Sequence, residues 1–229
     1  MKKNNAPLNE LDYSEFYWQT KPEPLLKNMP EWWKTSNIRA CPATNDMIKN
    51  TFVLRFFHDY EVTFDNENVS SPHGTQHMFD NYIDVSSVPV IQIFNGYTFF
   101  SDKPLIAEVK HPYWHTNDFT KKANVVSGEF DIGQWFRTFY TAAVLQDKKC
   151  NIRFHRDDIS SYIKFKTNEK INLIEFKMIP QLEEFRLMSS VTHASKIFGG
   201  PTQLKELYKK FAYRNSRKHI LKLIKENIV

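Results

Sequence analysis

The chain has 229 residues, of which 41% are hydrophobic and 15% aromatic, so it has the means to bury a core and does not belong to the intrinsically disordered class. Only six glycines occur, without a glycine-rich phosphate-binding motif, which excludes the dinucleotide-binding and P-loop classes. The net charge is +5, and the last thirty residues alone carry +6, so the basic excess lies at the C-terminal end.

Residues 1–50 predict an irregular, aromatic N-terminal arm that packs on the body of the protein. A run of alternating prolines at 21–24 favours extended backbone. The segment Met29-Pro30-Glu31-Trp32-Trp33-Lys34 suits a short helical turn with proline near its start. Because adjacent helical residues point about 100° apart, we expect at least one of the two tryptophans to pack inward. The aromatic residues Phe16, Tyr17 and Trp18 are expected to order the arm further.

Residues 51–180 predict the main domain, an antiparallel β-sandwich, a jelly roll or a related barrel. Short segments rich in β-branched and aromatic residues recur there without a long helical pattern between them. We expect strands at Thr51–Phe57, Tyr60–Phe64, Leu105–Val109, Val125–Asp131, Phe136–Leu145, Cys150–His155, Tyr162–Lys166 and Ile171–Met178. A further pair of apolar runs flanks Asn95-Gly96, and this dipeptide favours a type I′ hairpin because both central residues need a positive φ.

Residues 181–229 predict a basic segment of two or three helices. Apolar residues recur at helical spacing after Pro180, a break follows at Gly199-Gly200-Pro201, and Ser216 suits the cap of a last helix. Three interpretations stay open: the helices pack on the β body, dock on a partner subunit, or bind nucleic acid. The candidate contact residues for a partner or for nucleic acid are Lys209, Lys210, Arg214, Arg217 and Lys218.

Two stretches share the spacing His-x3-His-x2-Asp, beginning at His73 and at His111. Imidazole and carboxylate are suitable ligands for Zn²⁺ or Fe²⁺, and histidines on loops of a β scaffold converge in cupin-like metal sites. The candidate metal ligands are His73, His77, His111, His115 and Asp118. The alternative is that these histidines serve turns and packing, because prolines and glycine near them indicate loops.

The cysteines and the N-terminal residues bear on the compartment. Cys41 and Cys150 lie far apart and form no Cys-x-x-Cys pattern, so we expect two free thiols in a reducing compartment. The N-terminal residues form no apolar signal segment, and no stretch is apolar for long enough to span a membrane. We therefore expect a soluble protein that is not exported by the general route and has no membrane partner.

Several short motifs, taken in order, resemble an uncharacterised family of proteins encoded by tailed phages. They are Pro30-Glu31-Trp32-Trp33-Lys34, Arg39-Ala40-Cys41-Pro42, Gly96-Tyr97, His111-Pro112, Ser127-Gly128 and Ile174-Glu175-Phe176-Lys177. The resemblance runs from about residue 13 to 180 and more loosely into the basic tail. One departure is Asn168-Glu169-Lys170, which stands where the family often has a Gly-Thr-Pro turn. The resemblance implies a phage origin, hence the host cytoplasm or the virion, and it implies no activity.

The predicted function is that of a non-enzymatic phage protein, either a structural or assembly component or a host-interaction factor. Its partner would be another protein or further copies of the chain, and no cofactor is expected. The first alternative is a metal-dependent enzyme on a cupin-like barrel that uses zinc or iron, and the second is a nucleic-acid-binding protein that uses the basic helices. The high aromatic content also suits carbohydrate binding by a β-sandwich, although buried rings need no ligand.

Overall fold

The computed structural model describes residues 21–65, 68–71, 79–85, 88–189 and 216–229. Within these residues the strands are β1 (Glu23–Pro24), β2 (Thr51–Arg55), β3 (Tyr60–Asp65), β4 (Asn68–Ser70), β5 (Phe79–Val85), β6 (Val88–Phe99), β7 (Ile106–Lys110), β8 (Ala123–Val125), β9 (Gly128–Asp131), β10 (Arg137–Leu145), β11 (Lys149–Phe154) and β12 (Ile159–Phe165). The helices are α1 (Glu31–Thr35), α2 (Pro42–Ile48), α3 (Asp118–Lys122), α4 (Pro180–Met188) and α5 (Ser216–Glu226), and two 3-10 turns lie at Leu25–Asn28 and Asn37–Ala40. No helix in these ranges combines the length and the apolar character that crossing a membrane requires.

The strands form three antiparallel sheets, which confirms the prediction of a mainly β fold with helices at the C-terminal end. The first sheet has the order β1-β2-β12-β7-β9, the second has β5-β6-β10-β8, and the third has β11-β3-β4. All of the strand pairings in the described residues are antiparallel. The sandwich or jelly-roll arrangement of these sheets stays a prediction.

One hydrophobic core joins the three sheets. Apolar and polar residues alternate along a strand, so the apolar side chains point to one face. In β3 the apolar Tyr60, Val62 and Phe64 are buried, whereas the polar residues between them are not. The core residues from all three sheets include Phe52, Leu54, Phe56, Tyr60, Val62, Phe64, Ile91, Ile93, Val109, Phe139, Leu145, Ile152, Phe154, Ile163 and Phe165. Burial of each large apolar side chain contributes about 1.5–3 kcal/mol, so this core is a main source of the fold's stability.

The N-terminal segment from residue 21 to 50 packs on the outer face of the first sheet. Strands β2 and β12 are buried on both sides, because Val53 and Tyr162 point away from the main core. These two side chains contact a second apolar cluster that includes Leu25, Met29 and Trp33. The adjacent tryptophans of α1 are divided as expected, since Trp33 is buried and Trp32 is 53% exposed. The residues Phe16, Tyr17 and Trp18 lie outside the described residues.

The helices α4 and α5 pack on the body through a third apolar cluster. Leu182 of α4 and Ile220 of α5 are fully buried against Trp135 and Phe136. The Arg186 guanidinium, which is also buried, donates to the Thr138 hydroxyl at 2.6 Å and pairs with Glu183. At the C-terminal end a single β-bridge joins Phe176 to Ile228.

The predicted hairpin at Asn95-Gly96 is wrong. Both residues lie inside the continuous strand β6, which pairs along its length with β10. Three residues of β6 there face the single residue Phe139 of β10, so the dipeptide forms a β-bulge. Gly96 does take the positive φ that the motif suggested, at 71°. Long-range pairing with β10 and the bond from the buried Asn95 amide to the Thr141 hydroxyl hold the chain extended instead of reversing it.

Two other predicted strands differ from the structure. The segment Val125–Asp131 divides into the end of β8 and the whole of β9, which belong to different sheets. The chain therefore crosses between sheets at Val126 and Ser127, which a run of strand-forming residues does not reveal. The segment Ile171–Met178 is irregular apart from its bridge to Ile228, because it lies across the body and contacts the apolar clusters without joining a sheet.

Candidate functional site

The loop between β7 and α3, residues 111–117, contains the second histidine pair. Two tight turns bend it, since the amide of Tyr113 donates to the His111 carbonyl and the amide of His115 donates to the Pro112 carbonyl, each at 3.0 Å. The loop ends at Asn117, which caps α3: its side chain accepts from the Thr120 amide, and the Thr120 hydroxyl accepts from the Asn117 amide. The loop is therefore held at both ends by its own hydrogen bonds.

His115 connects this loop to the sheet below and to the N-terminal segment. Its Nε2 lies 2.6 Å from the Asn28 carbonyl oxygen, which only accepts, so we assign the ring hydrogen to Nε2. Its Nδ1 then accepts from the Tyr162 hydroxyl at 2.5 Å, and that hydroxyl accepts from the Trp114 amide at 3.1 Å. Both ring nitrogens of His115 are thus occupied within the protein.

Burial keeps the side chains of His115 and Tyr162 neutral. Burial lowers the pKa of the His115 imidazole; the hydrogen bond to the Asn28 carbonyl opposes this effect, and the Arg55 charge reinforces it. Burial also raises the pKa of the Tyr162 hydroxyl, and the bond from the Trp114 amide only partly offsets this. The neutral imidazole and the neutral phenol therefore form a stable donor–acceptor pair near pH 7.

The other described residues of the proposed metal site also have partners within the protein. His111 Nδ1 accepts from the Val125 amide at 3.2 Å, and burial lowers the pKa of this imidazole. Burial disfavours the charged form of Asp118, but the Arg153 amide and the Lys122 ammonium outweigh it and lower the pKa of the carboxyl. Asp118 thereby joins α3 to the edge of β11.

No metal centre is formed by the part of the chain that the structure describes. Within those ranges no group of three or more His, Cys, Asp and Glu side chains is arranged to hold a metal ion. His73 and His77 lie outside the described residues. The metal site that combines them with His111, His115 and Asp118 stays a hypothesis.

Two exposed rings lie beside this loop's histidines: Trp32, which contacts Trp114, and Tyr113, whose ring centroid is 5.4 Å from that of His111. We call Trp32, Tyr113 and Trp114 the aromatic surface. Trp32 is 53% exposed and Tyr113 is 59% exposed, whereas Trp114 is half-buried. The rings of Trp32 and Trp114 are 5.7 Å apart between centroids and tilted by 45°. From typical ring areas, the exposed part of the three side chains amounts to roughly 300 Å². Patches of this size on monomeric proteins often serve function.

The sequence places Trp32 outward through the geometry of α1. Pro30 is the N-cap residue of the helix, and the Trp33 indole anchors the helix in the second apolar cluster. Arg39 covers this anchor, with its guanidinium 5.3 Å from the centre of the Trp33 ring. Since Trp33 points inward, its neighbour Trp32 turns toward the 111–117 loop, where it meets Trp114.

The charged groups next to α1 are largely engaged with the protein. Lys34 pairs with Glu31, and the Arg39 guanidinium donates to the Lys34 carbonyl. Both members of the Lys34–Glu31 pair are exposed, so the pair contributes little to stability. Because the two opposite charges cancel, this pair adds no net charge to the α1 side of the aromatic surface.

The two described candidate contacts in the basic tail differ in their surroundings. Arg217 is held by the body, where its guanidinium donates to the carbonyls of Gly133, Ser101 and Asp102. Lys218 lies on the exposed side of α5, together with Lys222 and Lys225. The remaining candidates, Lys209, Lys210 and Arg214, lie outside the described residues.

In comparisons with known proteins, no family model, curated protein or solved structure matches the chain. The resemblance to phage-encoded proteins therefore stays a prediction.

Reasoning from the sequence missed the aromatic surface as a unit. The signals were present as two adjacent aromatic pairs, Trp32-Trp33 and Tyr113-Trp114. Their meeting depends on the docking of the N-terminal segment across the first sheet, which no local pattern encodes.

Proposed function

We propose that the chain is a non-enzymatic, phage-encoded binding protein that acts through the aromatic surface, as an assembly component or a host-interaction factor. The observation that carries the proposal is the exposure of Trp32 and Tyr113, since the other Phe, Tyr and Trp rings whose burial the structure describes are buried or half-buried. Tryptophan and tyrosine are the residues that most often dominate binding energy at interfaces.

The support beneath the rings fits a binding role. The loop that carries Tyr113 and Trp114 is fixed by two turns, by the cap at Asn117 and by His115. A surface that is ordered before contact loses little conformational entropy on binding, which raises affinity. The two histidines in the loop then serve to position the rings, because both nitrogens of His115 and the Nδ1 of His111 are bonded within the protein.

Co-sedimentation tests the proposal in two arms, one with purified virions and one with intact host cells. The wild-type protein is expected to sediment in one arm, and a Trp32→Ala/Tyr113→Ala variant is expected to lose most of that binding. Both side chains are largely exposed, so the variant should fold. Ile174→Ala is the matched control, because Ile174 is 65% exposed but lies outside the aromatic surface. Equal sedimentation of the double variant and the wild type would contradict the proposal.

A second candidate function, nucleic-acid binding, draws support from α5. Lys218, Lys222 and Lys225 share its exposed side, and phosphate contacts of this kind supply non-specific affinity. Arg217 does not add to them, because its guanidinium is bonded to the body. This function predicts binding to duplex DNA that weakens steeply with salt and falls in a Lys218→Ala/Lys222→Ala variant. Absence of binding at low salt would remove it.

A further inference from the structure

We propose that the aromatic surface binds an uncharged glycan, whose pyranose rings stack on the exposed rings of Trp32 and Tyr113. This inference rests on the proposed function and names the chemistry of its partner. A pyranose ring presents a face of C–H groups, which pack favourably on the electron-rich face of an indole or a phenol.

The size of the surface favours such a partner over a folded protein. A stable protein interface buries about 800 Å² on each partner, whereas the three rings expose roughly 300 Å². The rings of Trp32 and Trp114 are tilted, not stacked face to face, and the distance between their centroids is 5.7 Å. Two rings at this centroid distance are in contact with each other, so they form one small apolar surface, which suits a short stretch of oligosaccharide.

The charges around the surface favour an uncharged partner. Lys34 is paired with Glu31, and Arg39 is bonded to the Lys34 carbonyl and stacked over Trp33. The imidazoles of His111 and His115 are neutral near pH 7, because burial lowers the pKa of each. Single-stranded nucleic acids also stack on aromatic rings, but they depend on cations that track the phosphates. Lys34 and Arg39 are engaged with the protein itself.

The rigidity of the surface suits a weak, repetitive ligand. Trp33 anchors α1 below Trp32, and the Trp114 amide is bonded to Tyr162 of the central strand β12. Because the ring positions are set by buried contacts, stacking costs little ordering of the protein.

Calorimetric titration of the full chain tests the inference with uncharged oligosaccharides of glucose, mannose, galactose and N-acetylglucosamine. At least one is expected to bind with a Kd of about 1 mM or tighter. Trp32→Ala and Tyr113→Ala are each expected to weaken this binding by about tenfold or more, and the control Ile174→Ala is expected to leave it unchanged. Absence of binding across the panel, or unchanged binding in both ring variants, overturns the inference.

Two further measurements separate the competing partners. If a twenty-nucleotide oligo-dT binds in a Trp32-dependent manner and no saccharide binds, the glycan proposal is overturned in favour of single-stranded nucleic acid. A Trp32-dependent dimer in sedimentation equilibrium overturns it in favour of a second copy. If no saccharide binds but the double variant still loses co-sedimentation, the glycan inference fails and the proposed function stands. If the double variant keeps co-sedimentation, the proposed function fails.

Discussion

At the scale of single residues, the two histidines of the 111–117 loop show which partners the described part of the His-x3-His-x2-Asp motif has. The spacing His-x3-His-x2-Asp identified residues that do have polar partners, but those partners are protein atoms. His115 bonds to Asn28 and Tyr162, His111 to the Val125 amide, and Asp118 to Lys122 and the Arg153 amide. Spacing alone cannot distinguish these bonds from metal ligation, because both use the same nitrogen and oxygen atoms.

The buried imidazole of His115 makes the stability depend on pH. Its pKa is lowered in the folded protein, whereas in the unfolded chain it returns to about 6.5. The unfolded state therefore binds more protons just below that pH, and stability falls as the pH drops from about 6.5 toward the folded pKa. Urea unfolding at pH 7.5 and 5.5 should show this loss in the wild type and a smaller loss in His115→Gln. An identical loss in both proteins would show that His115 does not contribute.

Gly96 gives a second prediction at the residue scale. Its φ of 71° lies in the left-handed region, and an added Cβ would meet only the Phe57 and Phe94 rings at ordinary contact distances. Gly96→Ala should therefore cost about 1–2 kcal/mol through backbone strain alone. The control is Gly128→Ala, a strand glycine without a positive φ and with similar space, which should change the unfolding free energy by less than about 0.5 kcal/mol. Equal effects in the two variants would contradict the bulge geometry.

At the scale of elements, α5 was the hardest to interpret from the sequence. Its basic residues suggested a free arm, whereas its apolar residues suggested docking. In the structure Ile220 is fully buried against the third apolar cluster, and the lysines lie on the opposite side. The apolar stripe thus predicts the contact better than the charge, because burial of the stripe stabilises the helix far more than solvated lysines do.

Because α5 packs on the body, substitution of Ile220 should change the free energy of unfolding strongly and substitution of Lys222 only slightly. Ile220→Ala should lower the unfolding free energy by about 2–5 kcal/mol, because it leaves a cavity in a packed cluster. Lys222 is exposed in the same helix, so Lys222→Ala should change it by less than about 0.5 kcal/mol. Chemical denaturation of both variants checks this. A neutral Ile220→Ala would mean that α5 does not pack on the body in solution.

At the scale of the whole molecule, the sequence predicted the fold class well and the connections poorly. Alternation and aromatic content indicate strands, and most of those predicted between residues 51 and 166 are present within a few residues. Which strands pair with each other depends on the tertiary structure instead. The pairing of β6 with β10 overrode the hairpin signal at Asn95-Gly96, and the crossing at Val126 divided one predicted strand between two sheets. The aromatic surface also depends on the tertiary structure, because Trp32 and Trp114 are 82 positions apart in the chain.

A shared core predicts cooperative unfolding. Side chains from all three sheets meet in one apolar cluster, so loss of one sheet exposes the others. Far-ultraviolet and near-ultraviolet circular dichroism should therefore report the same transition midpoint in urea. Two separate midpoints would indicate that one sheet unfolds independently of the rest.

The most direct test of the central claim, that the aromatic surface is the binding face, is hydroxyl-radical footprinting of the wild-type protein, free and bound to host cells or virions. Oxidation of Trp32 and Tyr113, read by mass spectrometry, is expected to fall severalfold on binding, while oxidation of the equally exposed Ile174 and Leu26 stays unchanged. Bound protein in which Trp32 and Tyr113 remain fully oxidisable, with protection elsewhere, would contradict the account.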